Sequence, residues 1–322
     1  MNTQEFNNEI AHLSEWVNAV KMEMSRVLVG QQKLVNRLIL SLLCKGHVLL
    51  EGVPGLAKTL SVKALAGTMH AAFSRIQFTP DLLPADLLGT MIYNPETRQF
   101  TAKKGPVFSN LILADEINRA TPRTQSSLLE AMAENQVTVD GETYQMAEPF
   151  MIMATQNPLE SYGTFPLPEA QTDRFFMRLS LGYMDRAEEI AVLQGDDTNL
   201  LVQQLAQQVT DEETAAAKAG LAEITVSEAV AGYIMDIIDA TRNDSRIRIG
   251  VSTRGALALY KASQASAALS GRNYVIPEDV KALAPCVLAH RLTLSSSVKR
   301  GEDNALIQQI LDMVAVPLED VL

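Results

Sequence analysis

Cysteine is nearly absent from this chain of 322 residues: Cys44 and Cys286 are the two present, each among apolar neighbours. Two such thiols build neither a disulfide framework nor a Cys-rich metal site, so both are expected to be small buried hydrophobes. Aromatic residues are scarce, at 5% with a single Trp, and basic residues are outnumbered 27 to 38 by acidic ones. A net charge of −11 and a pI near 4.9 argue against tight binding to nucleic acid or to an anionic membrane surface, both of which need clustered Lys and Arg. Apolar stretches such as Leu38 to Cys44 are too short to span a bilayer. The stretch Glu5 to Lys21 alternates charge with apolar positions instead of forming a signal-peptide core. A cytoplasmic location without a membrane span is the expectation.

What is present is enough apolar residue, 47% of the chain, to bury a substantial core, at a length that predicts about two domains. Phe6, Ile10, Leu13, Trp16, Val17, Val20 and Met24 recur at helical spacing and predict an N-terminal amphipathic helix over residues 5 to 26. A second helix is expected from Gln31 to about Lys45, stopped by Gly46. Strand and helix patterns then alternate. The strands are His47 to Leu50, Ser74 to Phe78, Leu111 to Ala114, Phe150 to Thr155 and Phe175 to Leu179. The helices are Thr59 to His70 and Pro122 to Glu134. This alternation predicts a parallel sheet in an α/β unit. Two hairpins interrupt it, one joining Thr90 to Tyr93 with Gln99 to Ala102, the other built around Asp140-Gly141. Beyond about Tyr183 the strand patterns fade, and helices are expected at Asp185 to Gln194, Ser227 to Arg242, Thr253 to Leu269 and Pro277 to His290. The division predicted is an N-terminal helix (1–28), an α/β domain (29–183) and a smaller all-α domain (184–322).

Between the first strand and its helix stands Gly52-Val53-Pro54-Gly55-Leu56-Ala57-Lys58-Thr59. A Gly-rich turn in that place aims backbone N–H groups at phosphate oxygens, Lys58 reaches the β/γ-phosphates of a nucleoside triphosphate such as ATP, and the Thr59 hydroxyl ligates Mg²⁺. Ala57 stands where the second glycine of the usual pattern falls; it costs little if close backbone approach is all the position needs, and strains the loop if positive φ is required. Asp115 and Glu116 end an apolar strand. Asp115 is the candidate to hold Mg²⁺, and Glu116 to orient and polarise the attacking water. Asn157, at the next strand end, either positions that water or forms a turn before Pro158.

In order, GVPGLAKT, LADEINRA, PRTQSSLLEAM, ATQNP and LPEAQTDRF resemble the MoxR family of AAA+ ATPases over most of the chain. The family commonly has Ala at the position of Ala57. The resemblance implies a P-loop core with β-hairpin inserts and an α-helical lid. Residues 52 to 59 are then the ATP-phosphate loop, Asp115 and Glu116 the Walker B pair, and Asn157 sensor 1. Arg174 is implied as an arginine finger reaching the nucleotide of a neighbouring subunit, Arg254 as sensor 2, acting in its own subunit or the next, and Val29, Gly30 and Gln31 as the border of adenine. Without the resemblance, Arg174 reads as a surface partner of Asp173 or Glu169, and Arg254 as an exposed helix-start charge. Arg119 and Arg123 read as helix-start charges or as a subunit boundary. The hairpins are implied to face the channel of a ring.

The function so implied is an ATP hydrolase, hexameric by analogy with relatives, that remodels, matures or activates a protein partner, including partners with a von Willebrand factor A domain. The ATPase subunit of a metal-insertion complex of the chelatase kind is the alternative. A nucleic-acid motor is disfavoured by the acidic charge, and a non-hydrolysing scaffold by Glu116, Asn157 and Arg174.

Overall fold

Helices α1 (Thr3–Ser25) and α2 (Gln32–Leu43) lead into strand β1 (Val48–Glu51), helix α3 (Lys58–Thr68) and strand β2 (Phe73–Gln77). Helix α4 (Pro84–Leu88) and a hairpin of β3 (Gly89–Asn94) and β4 (Gln99–Lys104) come before β5 (Leu111–Asp115) and α5 (Pro122–Glu134). A second hairpin, β6 (Gln136–Val139) and β7 (Glu142–Gln145), precedes β8 (Met151–Gln156), the short α6 (Glu169–Thr172) and β9 (Met177–Ser180). The rest of the chain holds α7 (Arg186–Gln194), α8 (Thr198–Gln203), α9 (Asp211–Gly220), α10 (Glu228–Asn243), β10 (Ile247–Ile249), α11 (Thr253–Leu269), α12 (Pro277–Leu288), β11 (Thr293–Leu294) and α13 (Asp303–Met313). The structure is a computed structural model and describes residues 3–52, 58–69, 71–96, 98–156, 163–194, 198–296, 298–299 and 301–317.

The central sheet is parallel throughout, in the order β2-β5-β8-β1-β9. Its apolar residues alternate between two cores, as a sheet covered on both faces requires. Val48, Leu50, Leu111, Leu113, Met151 and Met153 join α1, α2, α3 and the C-terminal helices on one side. Leu49, Ile112, Ala114, Ile152 and Ala154 pack with Leu128, Leu129 and Phe175 on the other. Helix α1 adds Leu13, Trp16, Val17, Val20 and Met24 to the first core and packs on α9 and α3.

The hairpins have their own local causes. Asp140 and Gly141 both take positive φ, 48° and 92°, as a two-residue turn of right-handed twist demands. The β3–β4 hairpin is rooted on two glycines. Gly89 has φ 98°, and a Cβ there would run into the Lys103 carbonyl, while one on Gly105 would run into that of Leu87.

Several expectations are refined. Helix α2 ends at Leu43 and the left-handed residue after it is Lys45 (φ 53°), not Gly46. Gly46 serves packing instead, because a Cβ there would overlap the Phe176 ring. Strand β9 starts two residues later than the apolar pattern predicts, since Phe175 is bonded back to Thr172 in a turn (3.1 Å) and its side chain enters the second core. The C-terminal part is helical as expected, apart from the small antiparallel pair β10–β11. Helices α8, α9 and α13 went unread, being short or weakly patterned. Ser227 and Ser252 cap α10 and α11 through their hydroxyls.

Candidate functional site

At the carboxyl edge of the sheet, β5 delivers Asp115 and Glu116 beside the ends of β2 and β8. Asp115 is fixed through both oxygens: Thr155 donates to Oδ1 (2.6 Å), and Arg75 donates to Oδ2 (2.6 Å). Glu116 takes the left-handed backbone conformation (φ 56°, ψ 49°), which costs a non-glycine residue about 1–2 kcal/mol. Its N–H donates to the Thr155 hydroxyl (2.8 Å), and its Oε2 accepts from Gln77 (2.7 Å) and pairs with Arg119 (3.1 Å). Arg75 also donates to Gln77 (3.0 Å), so side chains of β2 bridge the two acids.

Lys58 opens α3 and donates to the Gly52 carbonyl (2.5 Å). Burial lowers its ammonium from the usual lysine range, while Asp115 and Glu116 raise it again, which sets all three in one electrostatic neighbourhood. Val53, Pro54, Gly55, Leu56 and Ala57 lie outside the described residues, as does Asn157. Among the described residues no group of three or more His, Cys, Asp and Glu side chains could hold a metal alone. The guanidinium of Arg75 pairs with the Asp115 carboxylate within the chain.

Beside this edge a cleft of about 590 Å³ opens between the start of α2, the segment Arg178 to Met184, and Ala282, Pro285 and Cys286 of α12. Gly30 and Gln31 line it, and Val29 is exposed next to them. Arg178 points at Glu51 (3.7 Å) and pairs with Asp303 of α13, tying the end of the sheet to the C-terminal helices.

Arg174 and Arg254 lie elsewhere. Val48 pairs with Met177 in the register of β1 and β9, so Arg174 belongs to the amino edge, and Gly52, which follows Glu51, to the carboxyl edge. The four residues of β1 alone separate these edges by about 10 Å. Arg174 is exposed and donates to the Leu129 carbonyl (2.8 Å). Arg254, at the start of α11, sits 3.8 Å from Asp173. The two arginines line one cleft of about 360 Å³ with Lys45, Lys261 and Arg291. Asp173 is the acid in that lining, so the cleft is cationic on balance. Neither free thiol is poised as a nucleophile, although Cys286 lines the first cleft and Cys44 the second: burial raises Cys44 to about 12 and pushes Cys286 up as well.

Sequence reasoning missed Arg75, Gln77 and Thr155. Polar residues at alternate positions of the strand Ser74 to Phe78 were a signal, but nothing in one sequence places β2 next to β5.

A model of the ATPase family associated with various cellular activities (AAA) matches residues 47–177, and one of the AAA lid domain matches 239–310. The chain is 46% identical to the uncharacterized protein YeaC of Bacillus subtilis, over 92% of this chain and 93% of that one. It is 42% identical to chaperone MoxR1 of Mycobacterium tuberculosis, over 92% and 81%, and 30% identical to protein MoxR of Paracoccus denitrificans, over 94% and 96%. A crystal structure of a candidate ATPase from Cytophaga hutchinsonii superimposes with a TM-score of 0.90 at 42% identity, covering 99% of this chain and 100% of that one.

Proposed function

The chain belongs to the MoxR family of AAA+ ATPases, and on that premise we propose that it hydrolyses ATP within a ring of like subunits to remodel or activate a protein partner. The observation that supports this reading is the division of charge between the edges of one sheet. Lys58, Asp115 and Glu116 occupy the carboxyl edge; Arg174 and Arg254 occupy the amino edge. A nucleotide held at the carboxyl edge lies across the sheet from Arg174 and Arg254 of its own chain, so in this reading the site draws its arginines from a second copy.

In this reading the triphosphate rests on residues 52 to 59, including Val53, Pro54, Gly55, Leu56 and Ala57, with the base in the cleft bordered by Gly30 and Gln31. Lys58 binds the β/γ-phosphates. Thr59 and Asp115 would hold Mg²⁺, which when bound offsets phosphate charge. Glu116 holds the attacking water and takes its proton, with Asn157 as a second contact. Arg174 of the partner subunit meets the charge that builds on the γ-phosphoryl oxygens, a contribution of about 10³ to 10⁵ in rate in related phosphoryl transfer. Arg254 of the partner subunit is assigned to the same role, because it shares the cleft of Arg174.

The protein partner rests on the family: one relative is named a chaperone, and partners with a von Willebrand factor A domain are the class the resemblance implies. The β3–β4 hairpin offers a polypeptide the exposed rings of Tyr93 and Phe100, tilted against each other with centroids 5.2 Å apart. A hexamer is the ring size proposed. The working division is an N-terminal helix (1–28), a nucleotide-binding domain (29–183) and a helical lid (184–322). No helix among the described residues is long and apolar enough to cross a membrane.

The test is ATPase rate against protein concentration. The rate per subunit is expected to climb steeply as subunits assemble, and Arg174→Ala to lower kcat by about 10³-fold while isolated subunits keep their nucleotide affinity. A trace rate independent of concentration would sink the reading.

A further inference from the structure

The segment that presents Arg174 is held by the lid, through Arg291. This guanidinium is 2% exposed, and its Nε donates to the Asp173 carboxylate (2.8 Å). Its Nη2 donates to the Phe175 carbonyl (2.6 Å) and its Nη1 to that of Phe176 (3.3 Å), so it bonds residues on both sides of Arg174. Neighbouring contacts tighten the grip. His290 meets the Phe175 carbonyl (3.0 Å), Thr172 donates to the His290 carbonyl (3.3 Å), and Thr293 donates to Glu169 (2.5 Å). Asp173 also faces Arg254 (3.8 Å) and the Ser252 hydroxyl (3.3 Å). A planar fork with several fixed partners positions a segment in a way an ammonium cannot.

Arg291 closes the 3-10 turn Ala289–Arg291 that follows α12, whose Ala282, Pro285 and Cys286 line the cleft beside Gly30 and Gln31. About 15 Å of helix separates Ala282 from Arg291, at 1.5 Å per residue in α12 and 2.0 Å in the turn. The wall of a chain's own cleft and the holder of its exposed arginine are therefore joined by one short stretch of continuous helical chain. We propose that Arg291, with Asp173, is a positioning residue for Arg174, setting the arginine that one subunit offers to the nucleotide of the next. The proposal rests on the reading that Arg174 acts in a neighbouring copy.

The experiment is subunit mixing. Arg291→Lys keeps the charge and loses the fork; Asp173→Asn keeps the shape and loses the charge, and serves if the first fails to fold. Each is expected to lower kcat at least tenfold with nucleotide affinity unchanged. Each is then mixed in equal parts with Glu116→Gln, whose own site is silent but whose Arg174 is correctly held. Activity should return to about one quarter of wild type, since half the sites are intact and half their neighbours bring a placed arginine. A mixture of Arg174→Ala with Glu116→Gln is the control. Failure of that control overturns the reading across subunits. Recovery in the control, without recovery for Arg291→Lys and Asp173→Asn, overturns the positioning role. Wild-type kcat in Asp173→Asn overturns it as well.

Discussion

The two edges of the central sheet are built on opposite plans. At the carboxyl edge, Asp115 and Glu116 are tied to Arg75, Gln77, Thr155 and Arg119 within the same chain. At the amino edge, Lys45, Arg174, Arg254, Lys261 and Arg291 gather around a cleft with Asp173 as its acid. The first edge is electrostatically complete, and the second has cationic charge left over. A surface in surplus is suited to an anion that the chain itself does not supply, and that difference between the edges is what the proposed assembly of subunits builds on.

The largest effect that would sharpen this contrast is expected from Glu116→Gln. It removes the charge that activates water and leaves the hydrogen-bonding outline intact, so kcat should fall by about 10² to 10⁴-fold, the usual worth of such a group. Nucleotide binding measured by titration should survive. Normal turnover would show that the base lies elsewhere.

Next in size is an acid sensitivity seated at the amino edge. Burial lowers His47 to about 4, and lowers His290 well below 6.5. His47 accepts from the Ile152 N–H (3.0 Å) and lies 3.1 Å from the Met132 carbonyl. An unfolded His takes its proton near pH 6.5, so the unfolded chain gains protons first as pH falls. Stability present above pH 6.5 is therefore lost progressively down to about pH 4, by roughly 3 kcal/mol for His47. Melting temperatures across that window should drop for the wild type and drop less, relative to pH 7, for His47→Gln. Equal slopes would remove His47 from the account.

The smallest effect is expected from Thr155→Val at the other edge. The hydroxyl donates to Asp115 and accepts from Glu116 N–H, and the residue is buried. Its loss should cost about 1–3 kcal/mol of stability and lower kcat more than it raises KM. Thr155→Ser should restore both. A variant as active as wild type would show that the strand ends hold the acids unaided.

The sequence made one of these edges far more legible than the other. Lys58, Thr59, Asp115 and Glu116 are set by local pattern, because one apolar strand runs directly into the loop that ends at Lys58 and Thr59 and another runs directly into the two acids. The helices at Thr253 to Leu269 and Pro277 to His290 were readable for the same reason: capping Ser252 and Pro277 mark their starts. Arg75, Gln77 and Thr155 were not readable, since their meaning depends on which strands become neighbours. The meeting of Arg254 and Asp173 depends on how the lid docks, which no local pattern encodes. Gly46 misled as a helix stop because the same residue type serves left-handed turns and close packing.

The paired glycines at the root of the first hairpin have a mechanical consequence. With Gly89 pressed against the Lys103 carbonyl and Gly105 against that of Leu87, the two arms close on each other, and on the end of α4, backbone to backbone, with no side chain between them to shift or compress. A larger residue at either position would have to pry the arms apart or lift them from α4, so the hairpin's angle to the body is set by the main chain.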